Sequence, residues 1–214
     1  MKKNAILIQQ ASGDQVPFLQ LTRERHAAYA TRHGMEFWSV EDQEHPERAP
    51  NWEKIVLIQR ALSDAAGYEW IFWLDADTMI ARLDYDLREG LRPERDLGMV
   101  MHPNPRHFNS GVVLVKNTPA THEYFQRAWD AWPGRDQPWE EQVPMNRLLA
   151  AEHCPGFQTL PAEFNSTFGV NEALDPVVMA WHGLVPLSER FNRMTAALRE
   201  FEMLASEQNA QVSP

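Results

Sequence analysis

Short apolar runs and amphipathic segments alternate along most of this chain. Residues 4–10 contain a short apolar run and are typical of a buried strand, and residues 35–40 indicate a second strand. Between them, Val16 to His33 shows helical spacing, and Gly34 stands where the C-terminal cap of a helix belongs. Residues 41–50 are polar with two prolines and predict a loop.

The same alternation continues to the end of the chain. Asn51 is placed to cap a helix from Trp52 to about Ala66, with Gly67 closing it. Further strands are predicted at Leu97–His102, Val112–Lys116 and Val177–Trp181, and further helices at about Ala120–Trp132 and Glu140–Glu152. After Ser188 the pattern predicts an amphipathic helix and then a polar, frayed tail. We therefore expect one Rossmann-like α/β domain over residues 1–200, with a mostly parallel central sheet and helices on both faces, and a C-terminal tail over 201–214.

Composition and charge narrow the classes of partner. The chain has 214 residues, of which 43% are hydrophobic and 23% charged, as in an ordinary globular domain. Its net charge of −10 argues against a nucleic-acid partner, because proteins that neutralise phosphate backbones carry basic patches. A phosphate-bearing cosubstrate is still compatible with this charge, since a bound divalent cation reverses the local field. The eight Trp residues fit either core packing or stacking on sugars.

The N-terminus and the single cysteine bear on location. Only four consecutive apolar residues, 5–8, follow the basic start, which is too few for a signal peptide or a membrane span. Cys154 is the only cysteine, so an intrachain disulfide is excluded. We expect a cytoplasmic protein without a transmembrane segment.

Two acids directly follow the most apolar run of the chain. The run Trp70–Leu74 ends at Asp75, with Asp77 two residues later. In an open α/β sheet the carboxyl end of a buried strand is where ligand chemistry lies, and two carboxylates there suit Mn²⁺ or Mg²⁺. Such a cation would bridge the diphosphate of a nucleotide-sugar donor and stabilise the departing nucleotide. A pair of solvated turn acids is the structural alternative.

The same pair of acids is also compatible with a haloacid-dehalogenase-like phosphatase. Those enzymes also place an Asp-x-Asp motif after an apolar strand, and the first Asp acts as the nucleophile. Their motif normally has Thr or Val two residues past the second Asp, where this chain has Met79. Their motif also usually follows the first strand, whereas two strands are predicted before Asp75. The sequence therefore favours the metal site over the phosphatase.

Six blocks, in order, resemble the galactosyl transferase GMA12/MNN10 family (glycosyltransferase family 34), whose members have the GT-A fold. They are residues 26–34 (HAAYATRHG), 52–55 (WEKI), 69–77 (EWIFWLDAD), 108–112 (FNSGV), 140–142 (EEQ) and 179–182 (MAWH). The resemblance reaches from about residue 5 to about residue 190. The resemblance implies a metal-dependent glycosyltransferase that retains the anomeric configuration and transfers a hexose from a nucleotide-diphosphate sugar, a UDP-sugar being favoured. The acceptor, whether glycan, lipid-linked sugar, peptide or small metabolite, is not defined. The alternative in another class is a non-catalytic homologue that binds a nucleotide sugar or glycan.

The resemblance also implies roles for particular residues. His182 would complete the metal shell of Asp75 and Asp77, although a lone histidine is also compatible with a core or surface position. The donor would contact Asn109, Ser110 and Gly111, or these residues would form a plain turn into a strand. The expected catalytic residues are Glu140, Glu141 and Gln142, which would face the donor sugar, although acids are also favoured at a helix start. Lys54 would reach a phosphate or extend from a helix to solvent.

Two departures from the family pattern stand out. Family members usually carry an N-terminal membrane anchor, and this sequence shows none. They also tend to have a diphosphate-binding Lys shortly after the late His, where this chain offers only Arg190 and Arg193. A guanidinium binds phosphate well, so either arginine is a candidate replacement.

Overall fold

A six-stranded sheet with the order β2-β1-β3-β6-β5-β7 forms the centre of the protein. The computed structural model describes residues 4–103, 106–134, 140–151, 154 and 156–212. The strands of the sheet are β1 (Ala5–Gln10), β2 (Glu36–Val40), β3 (Trp70–Asp75), β5 (Leu97–Pro103), β6 (Arg106–Lys116) and β7 (Phe157–Leu160). Strand β6 pairs antiparallel with β3 and β5, while the other pairs are parallel. Five strands therefore point one way and β6 the other, which confirms the mostly parallel α/β sheet.

A small second sheet, of order β4-β9-β8, adjoins the first near the end of β3. It consists of β4 (Thr78–Ile80), β8 (Ser166–Thr167) and β9 (Val178–Ala180). The helices are α1 (Val16–Arg32), α2 (Glu53–Leu62), α3 (Pro119–Asp130), α4 (Gln142–Ala150) and α5 (Leu187–Val212). Helix α5 continues through much of the segment that the sequence assigned to a tail, and the domain boundary at residue 200 stays a prediction.

The central strands are buried on both faces. In β3, Ile71 and Trp73 belong to one hydrophobic cluster, which also contains residues of α2 and α3. Phe72 and Leu74 belong to a second cluster, together with Tyr29 of α1. The alternation follows from the two-residue period of a strand, and it explains why the sequence of β3 is apolar at consecutive positions. The expected helices on both faces of the sheet are therefore confirmed.

Several predicted boundaries need correction. Asn51 does not cap α2, because Pro50 starts a 3-10 turn over residues 50–52 and α2 begins at Glu53. The helix ends at Leu62 instead of Ala66, and Gly67 closes the following turn with a φ of 66°. Gly34 has a φ of 65° just after α1, so that predicted cap is confirmed.

The remaining differences concern the second half of the chain. Strand β6 begins at residue 106 instead of 112, so the 109–111 block lies within a strand. Helix α4 begins at Gln142, which puts Glu140 and Glu141 just before its first turn. The short strands β4, β7 and β8 were not predicted. Within the described ranges, no helix combines the length and apolar character needed to cross a membrane.

Candidate active site

The two acids lie on a tight turn at the carboxyl end of β3. Asp75 is the last residue of β3, Ala76 and Asp77 form the turn, and β4 starts at Thr78. The side chain of Asp75 is 36% exposed and that of Asp77 is 10% exposed. Both line a cavity of about 560 Å³. The turn therefore has the position that the sequence predicted, at the mouth of a buried strand.

Hydrogen bonds from three separate segments hold this turn. The backbone carbonyl of Asp75 accepts from Thr78 Oγ1 at 2.7 Å and from Gln9 Nε2 at 3.2 Å. The backbone N–H of Trp181, just after β9, donates to the carbonyl of Asp77 at 3.1 Å. Such bonds fix the backbone, and the backbone in turn fixes where the two carboxylates begin.

The carboxylate of Asp75 is tied to a buried lysine. Oδ1 of Asp75 accepts from Trp73 Nε1 at 2.7 Å and lies 3.1 Å from Lys54 Nζ. The ammonium of Lys54 also donates to Ser110 Oγ at 2.9 Å and to Glu141 Oε1 at 2.5 Å. Burial disfavours this ammonium, but the carboxylates of Asp75 and Glu141 outweigh it and raise the pKa of Lys54.

Lys54 thus does not extend to solvent, and that alternative is wrong: its side chain is only 1% exposed. Helix α2 faces the sheet at this position, and the ammonium ends between acids instead of reaching the surface. Its proposed contact with a phosphate stays a prediction.

Asp77 pairs with an arginine from the C-terminal helix. Nη1 of Arg190 donates to Asp77 Oδ2 at 2.9 Å, and the same guanidinium donates to the carbonyl of Leu184. Burial, and next the neighbouring Asp75 carboxylate, raise the pKa of Asp77 to about 6, against the lowering effect of Arg190. Repulsion between neighbouring acids favours a cation beside them, and in this structure the guanidinium of Arg190 supplies positive charge at Asp77.

Strand β6 brings the 109–111 block against Asp75. Oδ1 of Asn109 accepts from the N–H of Gly111 and from Nδ2 of Asn165, both at 2.7 Å. A Cβ at Gly111 would lie 2.8 Å from Asn109 Oδ1 and 3.3 Å from Asp75 Oδ2. A side chain here would therefore displace Asn109 Oδ1 and press on the Asp75 carboxylate.

Ser110 links this strand to the segment before α4. Its Oγ donates to Glu141 Oε1 at 2.7 Å, and its N–H donates to Gln142 Oε1 at 2.9 Å. Glu141 is buried, whereas Glu140 is exposed and lines the cavity. The structure thus joins Lys54, Ser110, Glu141 and Gln142 in one network beside Asp75, with Glu140 outside it.

His182 follows β9 and lies in the same region. Its ring stacks on His102 with centroids 4.8 Å apart and an interplanar angle of 21°. Burial lowers the pKa of His182, while the Asp75 carboxylate raises it, so the two groups interact. A neutral imidazole is the form that binds metals.

Two carboxylates and a neutral imidazole are a suitable donor set for Mn²⁺, so the chemistry of these residues fits a divalent cation. In the described part of the chain, however, no three His, Cys, Asp or Glu side chains are gathered closely enough to hold a metal. The set Asp75, Asp77 and His182 accordingly stays a prediction. Arg190 on Asp77 is the contact that a cation would have to replace.

The cavity is bounded by four segments besides the acid turn. Its lining comes from the end of β1 and the residues that follow, from the turn before α2, from Glu140 in the segment before α4, and from Arg190. These lining residues are Gln10, Ala11, Ser12, Gln15, Ala49, Pro50, Asn51, Trp73, Asp75, Ala76, Asp77, Glu140 and Arg190. Among the predicted site residues, Asp75, Asp77 and Glu140 line it.

Four residues of this region were missed or underrated from sequence. Trp73 has one available signal, because it precedes Asp75 by two residues on the same strand and so shares its face. Gln9 lies on β1, 66 residues before Asp75, and has no such signal. Asn165 has no motif around it, and its buried Oδ1 has no hydrogen-bond partner among the described residues. The pairing of Arg190 with Asp77 joins positions 113 residues apart, which a single sequence does not show.

Comparison with known proteins gives a consistent family and fold. The model of the galactosyl transferase GMA12/MNN10 family matches residues 5–130. An uncharacterized alpha-1,2-galactosyltransferase of Schizosaccharomyces pombe is 24% identical over 97 residues, which are 44% of this chain and 26% of that protein. A probable glycosyltransferase 7 of Oryza sativa subsp. indica is 31% identical over 96 residues, 41% of this chain and 21% of that protein. The matched stretches thus span about a quarter or less of these curated relatives.

Among solved structures, a glycosyltransferase involved in glycosylation of the major capsid of PBCV-1 superposes with a TM-score of 0.74 and 17% identity. The match covers 89% of this chain and 98% of that one. At this identity the likeness concerns the fold, which is the GT-A type.

Proposed function

Because the chain belongs to the galactosyl transferase GMA12/MNN10 family, we propose that it is a metal-dependent, retaining glycosyltransferase. The donor is a nucleotide-diphosphate hexose, with a UDP-sugar favoured, and the acceptor is undefined. The observation that carries the proposal is the Asp75–Asp77 turn, which ends a doubly buried strand and opens into a cavity of about 560 Å³. A cavity of that size suits a small-molecule cosubstrate.

In this proposal Asp75, Asp77 and His182 hold Mn²⁺ or Mg²⁺. The ion, when bound, neutralises charge on the departing diphosphate. What supports these ligands is that the two acids share the cavity wall and that the imidazole interacts with Asp75. The raised pKa of Asp77 also means that a cation there would relieve repulsion between the two carboxylates.

Arg190, and not Arg193, then serves as the diphosphate-binding cation. Its guanidinium lines the cavity 2.9 Å from Asp77. Arg193 pairs with Glu189 on the surface of α5 and lies over the ring of Phe168. When a cation takes over the charge of Asp77, Arg190 is free to turn to phosphate oxygens, for which its planar fork is suited.

The protein groups around the sugar have separate parts in this scheme. Glu140 contacts hydroxyls of the donor or acceptor from the exposed side of the cavity, and the amide of Gln142 stabilises the positive charge that develops at the anomeric carbon. Asn109, Ser110 and Gly111 form the wall beside the donor. Glu141 is already bonded to Lys54 and Ser110, so we assign it to positioning Gln142 and Lys54 instead of attacking the sugar.

Retention then follows from attack on the same face as departure. The acceptor oxygen bonds to the anomeric carbon while the bond from that carbon to the phosphate oxygen breaks. The acceptor proton passes to that phosphate oxygen, so no carboxylate pair of the glycosidase kind is needed.

The proposal is tested by incubating the protein with MnCl₂ and a panel of UDP- and GDP-sugars and measuring the released nucleotide. Slow donor hydrolysis that EDTA stops would support the enzyme. The Asp77→Asn variant should lose metal-dependent donor binding and release while it keeps its fold by circular dichroism. The matched control is Asp175→Asn, which changes an exposed acid paired with Arg82 outside the cavity lining.

Other outcomes of this assay favour the alternatives. Tight donor binding without any release would indicate a nucleotide-sugar-binding homologue. Phosphate release from small phosphoesters, without release of nucleotide from sugars, would indicate the phosphatase. Unchanged donor affinity of Asp77→Asn by calorimetry would contradict the metal site.

A further inference from the structure

A buried chain of polar groups connects helix α1 to both sides of the Asp75–Asp77 turn. Nδ1 of His26 lies 2.6 Å from Gln9 Oε1, and its Nε2 lies 3.1 Å from the backbone N of Ile80. The amide Nε2 of Gln9 donates to the carbonyl of Asp75 at 3.2 Å. Both Gln9 and His26 are 0% exposed. Asp75 begins the turn and Ile80 ends the strand that follows it, so the chain reaches the turn from both sides.

The direction of every bond in this chain is fixed by chemistry. The N–H of Ile80 only donates, so Nε2 of His26 accepts and carries no proton. A neutral imidazole then has its proton on Nδ1, which donates to the carbonyl oxygen of Gln9. The amide nitrogen of Gln9 is thereby turned toward the carbonyl of Asp75, which only accepts. Burial also lowers the pKa of His26 to about 3, which agrees with a neutral ring.

Neither side chain lines the cavity, and neither is among the residues that the sequence pointed to as ligands. Fully buried polar side chains require partners, because an unpaired donor or acceptor inside a protein is costly. Gln9 bonds to the backbone of Asp75, and His26 bonds to Gln9 and to the backbone of Ile80, three residues after Asp77. Metal sites depend on such outer contacts, since they orient the residues that bind the ion.

We propose that Gln9 and His26 are positioning residues for the divalent cation, which fix the backbone of the Asp75–Asp77 turn so that both carboxylates point at one ion. The inference rests on the proposed function, because it assumes that the turn binds a metal. It adds two residues that touch neither ion nor donor. It also requires one tautomer of His26, with the proton on Nδ1.

The first test compares two variants, each of which keeps the approximate size of the side chain that it replaces. Gln9→Met keeps the length of the side chain and removes both of its hydrogen bonds. Thr22→Val is the control, because Thr22 is equally buried, lies one turn before His26 on α1, and bonds only within its own helix. Both variants are measured for thermal stability, for Mn²⁺ affinity in the presence of UDP, and for donor hydrolysis.

We expect Gln9→Met to weaken Mn²⁺ binding by about tenfold, at the lower end of the range for outer contacts of a metal site. Saturating Mn²⁺ should restore most of the hydrolysis rate, because the reacting groups are intact. Thr22→Val should keep the Mn²⁺ affinity of the wild type even if it melts earlier. A Gln9→Met protein with wild-type Mn²⁺ affinity would overturn the inference.

A conservative replacement provides a rescue. His26→Leu removes both bonds of the imidazole and should weaken Mn²⁺ binding as Gln9→Met does. His26→Asn places an amide N–H close to the position of Nδ1, so it should hold Gln9 in place and recover part of the affinity. Equal affinity losses in the Asn and Leu variants would overturn the role assigned to Gln9.

The second test determines the bond directions in the wild-type protein and uses one variant only to assign the signal. Long-range ¹H–¹⁵N spectra of the wild-type imidazoles should show one histidine protonated on Nδ1 alone, unchanged between pH 7 and pH 5, and the His26→Asn spectrum should lack it. A proton on Nε2 of His26, or titration in that range, would overturn the bond directions. If the wild type binds neither Mn²⁺ nor nucleotide sugar, the proposed function fails and this inference with it. If it binds both and Gln9→Met behaves like Thr22→Val, this inference alone fails.

Discussion

The buried imidazole of His26 makes the stability of the fold depend on pH in a way that can be calculated. Burial, followed by the nearby Arg25, lowers the pKa of His26 from 6.5 to about 3. In the unfolded chain the same group has a pKa of about 6.5. The folded pKa is lower than the unfolded one. The contribution of His26 to the free energy of unfolding is therefore fully present above pH 6.5 and is lost as the pH falls toward 3.

The magnitude follows from the protons bound in each state. At pH 5 the unfolded chain has protonated His26 almost completely, while the folded protein has not. Relative to pH 7, this stabilises the unfolded state by about 2 kcal/mol. That is a large share of the stability of a typical domain, which is roughly 5–15 kcal/mol.

Urea denaturation at pH 7 and pH 5 measures this effect. The free energy of unfolding of the wild type should fall between the two pH values by about 2 kcal/mol more than that of His26→Leu, which has no proton to bind. The variant should also be less stable at pH 7, since it leaves Gln9 and the N–H of Ile80 unpaired. Other titrating groups are common to both proteins and cancel in the comparison.

The Thr22→Val variant serves as the control here too. It perturbs the same helix but keeps the imidazole, so its loss between pH 7 and pH 5 should equal that of the wild type. If His26→Leu loses as much stability as the wild type over this range, the argument from the buried neutral ring is refuted.

Three further substitutions test the acid network and the metal set. Replacing Lys54 by Met leaves Glu141 buried without its cation and should lower the free energy of unfolding by about 3–5 kcal/mol. Urea titration measures this loss. A Lys54→Met/Glu141→Gln double variant should recover part of it. The Gly111→Ala variant should fold but lose Mn²⁺ affinity, because its Cβ would press on Asn109 Oδ1 and the Asp75 carboxylate; calorimetry showing wild-type affinity would contradict this. Replacing His182 by Ala should weaken Mn²⁺ binding without unfolding the protein, and an unaltered metal titration would remove it from the site.

The sequence predicts best the elements whose pattern is local. Strand β3 is apolar at successive positions because both of its faces are covered, and the acids that follow stand out against it. Helix α1 ends at a glycine with positive φ, which is also a local signal. By contrast, β6 carries polar Asn109 and Ser110 in its first half, and their side chains bond to residues of the site instead of packing in the core. Its strand character was therefore missed.

The partners within the site were not predictable because they are distant in sequence. Lys54 meets Ser110 and Glu141, which are 56 and 87 residues away. A periodic pattern shows which face of α2 is buried, but it does not show that an ammonium on that face ends among three polar groups. The sequence predicted that the acids and their neighbours form the site, whereas the bonds between these residues are visible only in the three-dimensional structure.

The reversed direction of β6 has a consequence for how this site can change during evolution. In a wholly parallel sheet, every strand would reach this edge at its end and continue into a loop. Strand β6 instead passes Asp75 within its length: Asn109 pairs with Val100 of β5, and from Val112 onward the strand pairs with β3. The block 109–111 is therefore held at both ends within one strand, so insertions that remodel the cavity are expected in the loop before α2 and in the segment before α4, which both line it.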